Sequence, residues 1–159
     1  MTMASDILDP KRDLQITRLL NAPQNKVWRC WTEEEHLVKW FAPKPWTTPH
    51  AKLDVRAGGS TIVTMRSPEG VDFPNSGVYL EVVPNKKLVF TDAYTSAWAP
   101  SLKPFFTAIL TFADEGGKTR YTATARHWNV EDTQTHAKMG FDAGWNICAD
   151  QLEALAATL

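Results

Sequence analysis

The stretch Phe141–Leu159, FDAGWNICADQLEALAATL, decides the fold. Phe141, Trp145, Cys148, Leu152, Leu155 and Leu159 recur at steps of four, three, four, three and four, which is one apolar stripe of a helix. The helical pattern reaches back to about Glu131, so the sequence predicts one long closing helix over Glu131–Leu159. Gly140 and Gly144 lie one turn apart beside the stripe. Each costs about 1 kcal/mol against Ala inside a helix, so a packing or bending reason is expected for them. Upstream of the helix lie about ninety residues of strand-and-turn pattern. A sheet of that size has an apolar face that must be covered.

Further upstream, Leu14, Ile16 and Leu20 alternate with polar residues as in a half-buried strand. Asn21-Ala22-Pro23 opens a helix whose stripe is Val27, Trp28 and Trp31. Thr32 to Glu35 reads as a capping box that starts a second short helix ending near Lys39. Trp40 to His50, with Pro43, Pro45 and Pro49, reads as a loop. Lys52–Arg56 and Thr61–Arg66 form a hairpin around Gly58-Gly59, and Ser67–Ser76 reads as a loop. Gly77–Val83 and Lys87–Tyr94 are strands around Pro84-Asn85-Lys86. After a loop over Thr95–Pro104, Phe105–Phe112 and Lys118–Arg126 pair around Glu115-Gly116-Gly117. The class is therefore α+β: a curved antiparallel sheet of six or seven strands wrapped around a long C-terminal helix, with two short helices after the first strand. Residues 1–12 read as a loose lead and 13–159 as one domain. One helix is too narrow to fill a wide curved sheet, so an apolar hollow is expected between them, which suits a small ligand.

Hydrophobic residues make up 43% of the 159, enough for a sizeable core. The net charge of -1 gives no pull toward nucleic acid or an anionic membrane surface. No run approaches the ~20 apolar residues that span a bilayer, and Met1–Lys11 lacks the apolar core of a signal peptide. Cys30 and Cys148 sit among apolar neighbours and read as reduced, structural thiols. The expected compartment is the cytoplasm.

The aromatic residues are the first site candidates. Trp40, Phe41, Trp46, Trp98, Phe105 and Phe106 fall in or beside loops expected to meet at one end of the sheet. Met65 and Phe90 lie on strands, and Met139, Phe141 and Trp145 lie on the closing helix. Such rings offer large contact area, and an indole N–H can orient a polar ligand atom. Polar candidates are Arg18, Asp54, Arg56, Glu81, Asp92 and Tyr121; strand parity alone does not say which face is inside. His36, His50, His127 and His136 lack the spacing of a shared metal site. Asp150 and Glu153 read as solvated. Ala57-Gly58-Gly59 leads into a strand, so there is no dinucleotide fingerprint, and no G-x-S-x-G elbow occurs. No cofactor or metal is implied.

In this order the pieces resemble a known family. They are Ala22-Pro23 with Val27-Trp28, Trp40-Phe41-Ala42-Pro43, and Asp54-Val55-Arg56-Ala57-Gly58-Gly59. Then come the run from Gly77 to Thr91, Gly117–Thr124 and His136–Trp145. Together they are similar to the START-like (SRPBCC) helix-grip superfamily, in the branch named after activators of heat-shock protein 90 ATPase. The resemblance implies a sheet gripping a helix and a small apolar or amphipathic ligand between them. It also makes His136 the leading acid/base candidate. Two other readings stand beside non-enzymatic binding. One is a cyclase or dehydratase using the same cavity, with His136, Asp54, Arg56, Glu81 and Tyr121 as proton-transfer candidates. The other is a co-chaperone-like module that contacts heat-shock protein 90, as in relatives where this domain accompanies another. A homodimer through an exposed strand or the loop aromatics is compatible with all three.

Overall fold

The computed structural model describes residues 7–96 and 98–159. The first half of the expected N-terminal lead therefore lies outside the described residues. Ile7–Arg12 are tied down: Asp9 and Arg12 form an ion pair, and the Arg12 carbonyl accepts from the His127 amide.

Among the described residues, seven strands form one antiparallel sheet. They are β1 (Asp13–Leu20), β2 (Thr47–Leu53), β3 (Ser60–Arg66), β4 (Asp72–Val83), β5 (Lys87–Thr91), β6 (Phe106–Glu115) and β7 (Lys118–His127). Their spatial order is β1-β7-β6-β5-β4-β3-β2, so the first and second strands are the two edges. The chain crosses between those edges through helices α1 (Gln24–Thr32) and α2 (Glu34–Trp40). Alternation fixes the inner face. Leu88 and Phe90, Ala108, Leu110 and Phe112, and Tyr121, Ala123 and Ala125 point into the core, which the helices cover.

The closing segment is two helices, not one. α3 (Val130–Lys138) ends before Gly140, whose φ of 93° is left-handed, and α4 (Phe141–Ala156) starts beyond it. A left-handed residue cannot continue a right-handed helix, which is the reason for the glycine there. Asn129 caps α3 by accepting from the Asp132 amide. The expected capping box fails: Thr32 donates to the Trp28 carbonyl instead, and α2 starts at Glu34 after Glu33.

Two expected loops are strand in part. β2 begins at Thr47 and carries Pro49, and β4 begins at Asp72 and carries Pro74. Proline is tolerated at both because each lies on a sheet edge. β2 is an edge strand, and residues 72–77 of β4 pair with β3 alone, because β5 joins only from Val78 onward. β5 stops at Thr91, three residues before the expected end at Tyr94.

Candidate functional site

The space between the sheet and the C-terminal helices is furnished mainly by aromatic rings. α1 and α2 reach into it as well as α4. Trp31 of α1 packs on Trp40 at 4.8 Å, on Phe90 at 5.8 Å and on Phe41 at 6.0 Å between centroids. Tyr79 meets Phe90 from β4 at 6.4 Å. Trp40 is buried and donates its indole N–H to the Cys30 carbonyl. These rings occupy much of the volume that a single narrow helix would have left open. Two hollows, about 350 and 260 Å³, instead lie on the opposite face of the sheet. Leu80, Val89 and Trp128 line the first, and Gln15, Thr122 and Thr124 the second.

A second aromatic group surrounds the break between α3 and α4. Phe106 faces Trp145 at 6.5 Å, and Trp145 faces Phe141 at 5.3 Å. His136 sits 5.1 Å from each of Phe105, Phe106 and Phe141. Phe105, Phe106 and Trp145 are half-buried, while Met139 at the end of α3 is 72% exposed. Phe90 and Phe106 are diagonal neighbours on the inner face, since Phe90 pairs with Ala108. The group is thus an aromatic cluster around the α3–α4 break, with Met139 exposed at the end of α3.

Its polar groups are few. His136 Nδ1 contacts His127 Nε2 at 2.8 Å in a buried bond, and His127 Nδ1 contacts the Arg12 carbonyl at 2.8 Å. Burial first, and His127 second, push the His136 pKa down to about 4. Asp92 accepts from the Phe105 amide at 2.9 Å and the Phe106 amide at 3.2 Å, which fixes the start of β6. Burial raises the Asp92 pKa against those bonds.

The other candidates do not converge on this cluster. Trp46 packs on Phe73 at 5.6 Å, opposite Met65, whereas Trp98 lies against Gly58 beside Tyr79. Phe73 and Tyr79 are six residues apart on β4, roughly 20 Å of strand. The loop aromatics therefore do not meet at one end. Asp54 and Arg56 pair with each other on an exposed turn. Glu81 pairs with Lys87 and lines the opposite face of the sheet, because a bulge between Tyr79 and Glu81 shifts the alternation. Tyr121 is fully buried under Phe112, and burial raises its pKa strongly. The Trp31 indole nitrogen lies buried beside the Tyr121 hydroxyl without hydrogen-bond geometry. Tyr121 is also six residues along β7 from His127, again roughly 20 Å. Cys30 and Cys148 are free thiols whose pKa burial raises to about 11, which suits a packing role.

Three residues gain structural roles that the sequence pattern did not reveal. Gln151 of α4 donates to the Trp40 and Ala42 carbonyls and accepts from the Lys44 amide, clamping the Trp40–Lys44 loop. Asp150 pairs with Arg18 while its side chain stays 66% exposed, and Glu153 accepts from the Asn21 amide, so both hold α4 to β1 and its exit at a solvated surface. Apart from the Arg18 guanidinium, these partners are backbone carbonyls and amides, which carry no sequence signal. Glu33, Glu35 and His36 bring three ligand atoms within 4.8 Å of one another. The Arg29 guanidinium already donates to Glu33 and approaches His36, so the cluster has its positive charge.

Comparison with known proteins agrees with this architecture. Residues 21–157 match the family described as activator of Hsp90 ATPase homolog 1-like protein. A crystal structure of protein NE0264 from Nitrosomonas europaea is 40% identical, covers 95% of this chain and 97% of its own, and superposes with a TM-score of 0.92. Protein Ms6760 from Mycobacterium smegmatis is 24% identical over 91% of this chain and 90% of its own, with a TM-score of 0.77. An AHSA1-like protein from Aeromonas hydrophila is 18% identical over 92% of each chain, with a TM-score of 0.70. No curated protein matches the chain. Among the described residues no helix is long and apolar enough to cross a membrane.

Proposed function

The chain belongs to the activator of Hsp90 ATPase homolog 1-like family, within the START-like fold, and from that premise we propose that it binds a small, largely apolar ring-shaped ligand at the aromatic cluster beside the α3–α4 break. The observation that carries this reading is the set of half-buried rings, Phe105, Phe106 and Trp145, clustered beside the α3–α4 break, with Met139 exposed at the end of α3. Half-exposed aromatic surface is apolar area still available for burial, and a ring-shaped guest gains both area and edge-to-face contacts there. The left-handed Gly140 separates α3 from α4 beside these rings. The ligand envisaged is smaller than a lipid, because Trp31 and Trp40 already occupy the inner volume.

The test is a titration with naphthalene-class probes, followed by tryptophan emission and by melting temperature. Saturable binding is expected, weakened about tenfold by Trp145→Ala. A panel of such probes that moves neither signal removes the proposal.

A further inference from the structure

His127 at the end of β7 and His136 on α3 form a contact whose proton positions follow from its partners. The Arg12 carbonyl oxygen can only accept, so His127 Nδ1, 2.8 Å away, is the N–H that donates to it. With His127 neutral, its single N–H is the one at Nδ1, and Nε2 is left with a lone pair. That lone pair lies 2.8 Å from His136 Nδ1, which must then be the donor. The proton of His136 is therefore on Nδ1, and its Nε2 carries the lone pair. Burial and the neighbouring imidazole keep His136 neutral near pH 7. Nε2 makes no hydrogen bond among the described residues, yet unlike Trp31 Nε1 it is not fully shut off from solvent. It stands in a wall of Phe105, Phe106 and Phe141 rings. A lone imidazole among phenyl rings lacks the further ligands of a metal site. What it can satisfy is a single donor carried by an otherwise apolar guest.

We propose that His136 Nε2 is a standing hydrogen-bond acceptor that selects ring-shaped ligands bearing a hydroxyl, phenols above all, and that His127 is the positioning residue that holds His136 in that tautomer. This rests on the binding reading above and adds the chemical class of the ligand. A guest without a donor leaves the acceptor desolvated and unpaired, which costs it affinity.

The experiment uses the full chain, 1-naphthol and its methyl ether, 1-methoxynaphthalene, which differ in the donor alone. Wild type is expected to prefer the naphthol roughly fivefold to tenfold. His136→Phe should bind the two about equally, and its retained ether binding reports an intact aromatic cluster. His127→Phe should also lose the preference, although His136 is still present. A nitrogen-15 imidazole NMR spectrum of wild type at pH 7 supplies a readout that needs no variant. It should show His136 Nε2 unprotonated and Nδ1 protonated, with this pattern mixed in His127→Phe. Saturable but equal binding of both probes to wild type overturns the inference and leaves the binding reading standing. Binding of neither removes both. A protonated His136 Nε2 overturns the tautomer assignment whatever the probes do.

Discussion

His136 must stay uncharged in the native protein, and that requirement is readable as acid sensitivity. Its pKa falls from an ordinary 6.5 to about 4 on folding. Between those values the unfolded chain binds the extra proton, so this contribution is complete above pH 6.5 and is lost as the pH falls toward 4. Urea midpoints measured from pH 7 down to 4.5 should therefore decline more steeply in wild type than in His136→Phe. Asp13 makes a second residue-scale case. Its buried side chain accepts two Arg126 N–H bonds at 2.9 Å and the Asp9 amide at 2.8 Å. Arg126→Met strips the carboxylate of its charge partner and should cost about 3 kcal/mol in chemical denaturation. Neither the histidine contact nor this pair has a sequence signature. His127 and His136 are nine residues apart across a turn, and Asp13 and Arg126 come from strands far apart in the chain. The notion of His136 as a special residue was reachable, while its partner was not. Glu81 shows the complementary failure, since a single bulge turned its side chain to the far face.

At the scale of elements, Gly140 and Gly144 divide the two meanings of a glycine in a helical pattern. Both have open space where a Cβ would stand, so the same substitution tests backbone conformation alone. Gly140→Ala forces a left-handed alanine and should destabilise by about 1–2 kcal/mol. Gly144→Ala, inside α4, should stabilise by roughly 0.5–1 kcal/mol. Thermal melts of the two variants should move in opposite directions. The apolar stripe from Phe141 to Leu159 was legible because a helix face repeats in sequence. The break before it was not, because glycine is tolerated in a helix as well as required outside one. Strand limits failed at Pro49 and Pro74 for a related reason. Proline excludes a central strand, and only the finished sheet shows that those two positions lie on edges.

For the whole molecule, the order of the signals was enough for the class of fold, since a sheet with one apolar face and a terminal amphipathic helix has few ways to close. How the interior is filled was not legible. It depended on Trp31 and Trp40 swinging in from α1 and α2, which periodicity marks as buried without saying against what. Leu152, fully buried where α4 meets the core, should cost about 2–5 kcal/mol when replaced by Ala, measured as a shift in urea midpoint. The topology carries a consequence for synthesis of the chain. Among the described residues β1 has β7 as its sole ladder partner, with Leu14 opposite Ala125. The earliest strand to leave the ribosome must therefore wait, unpaired and half apolar, until more than a hundred further residues have been translated. Nascent chains stalled before β7 should be protease-sensitive throughout β1, and this protein should depend on holdase chaperones during its birth more than a locally wired fold of equal size.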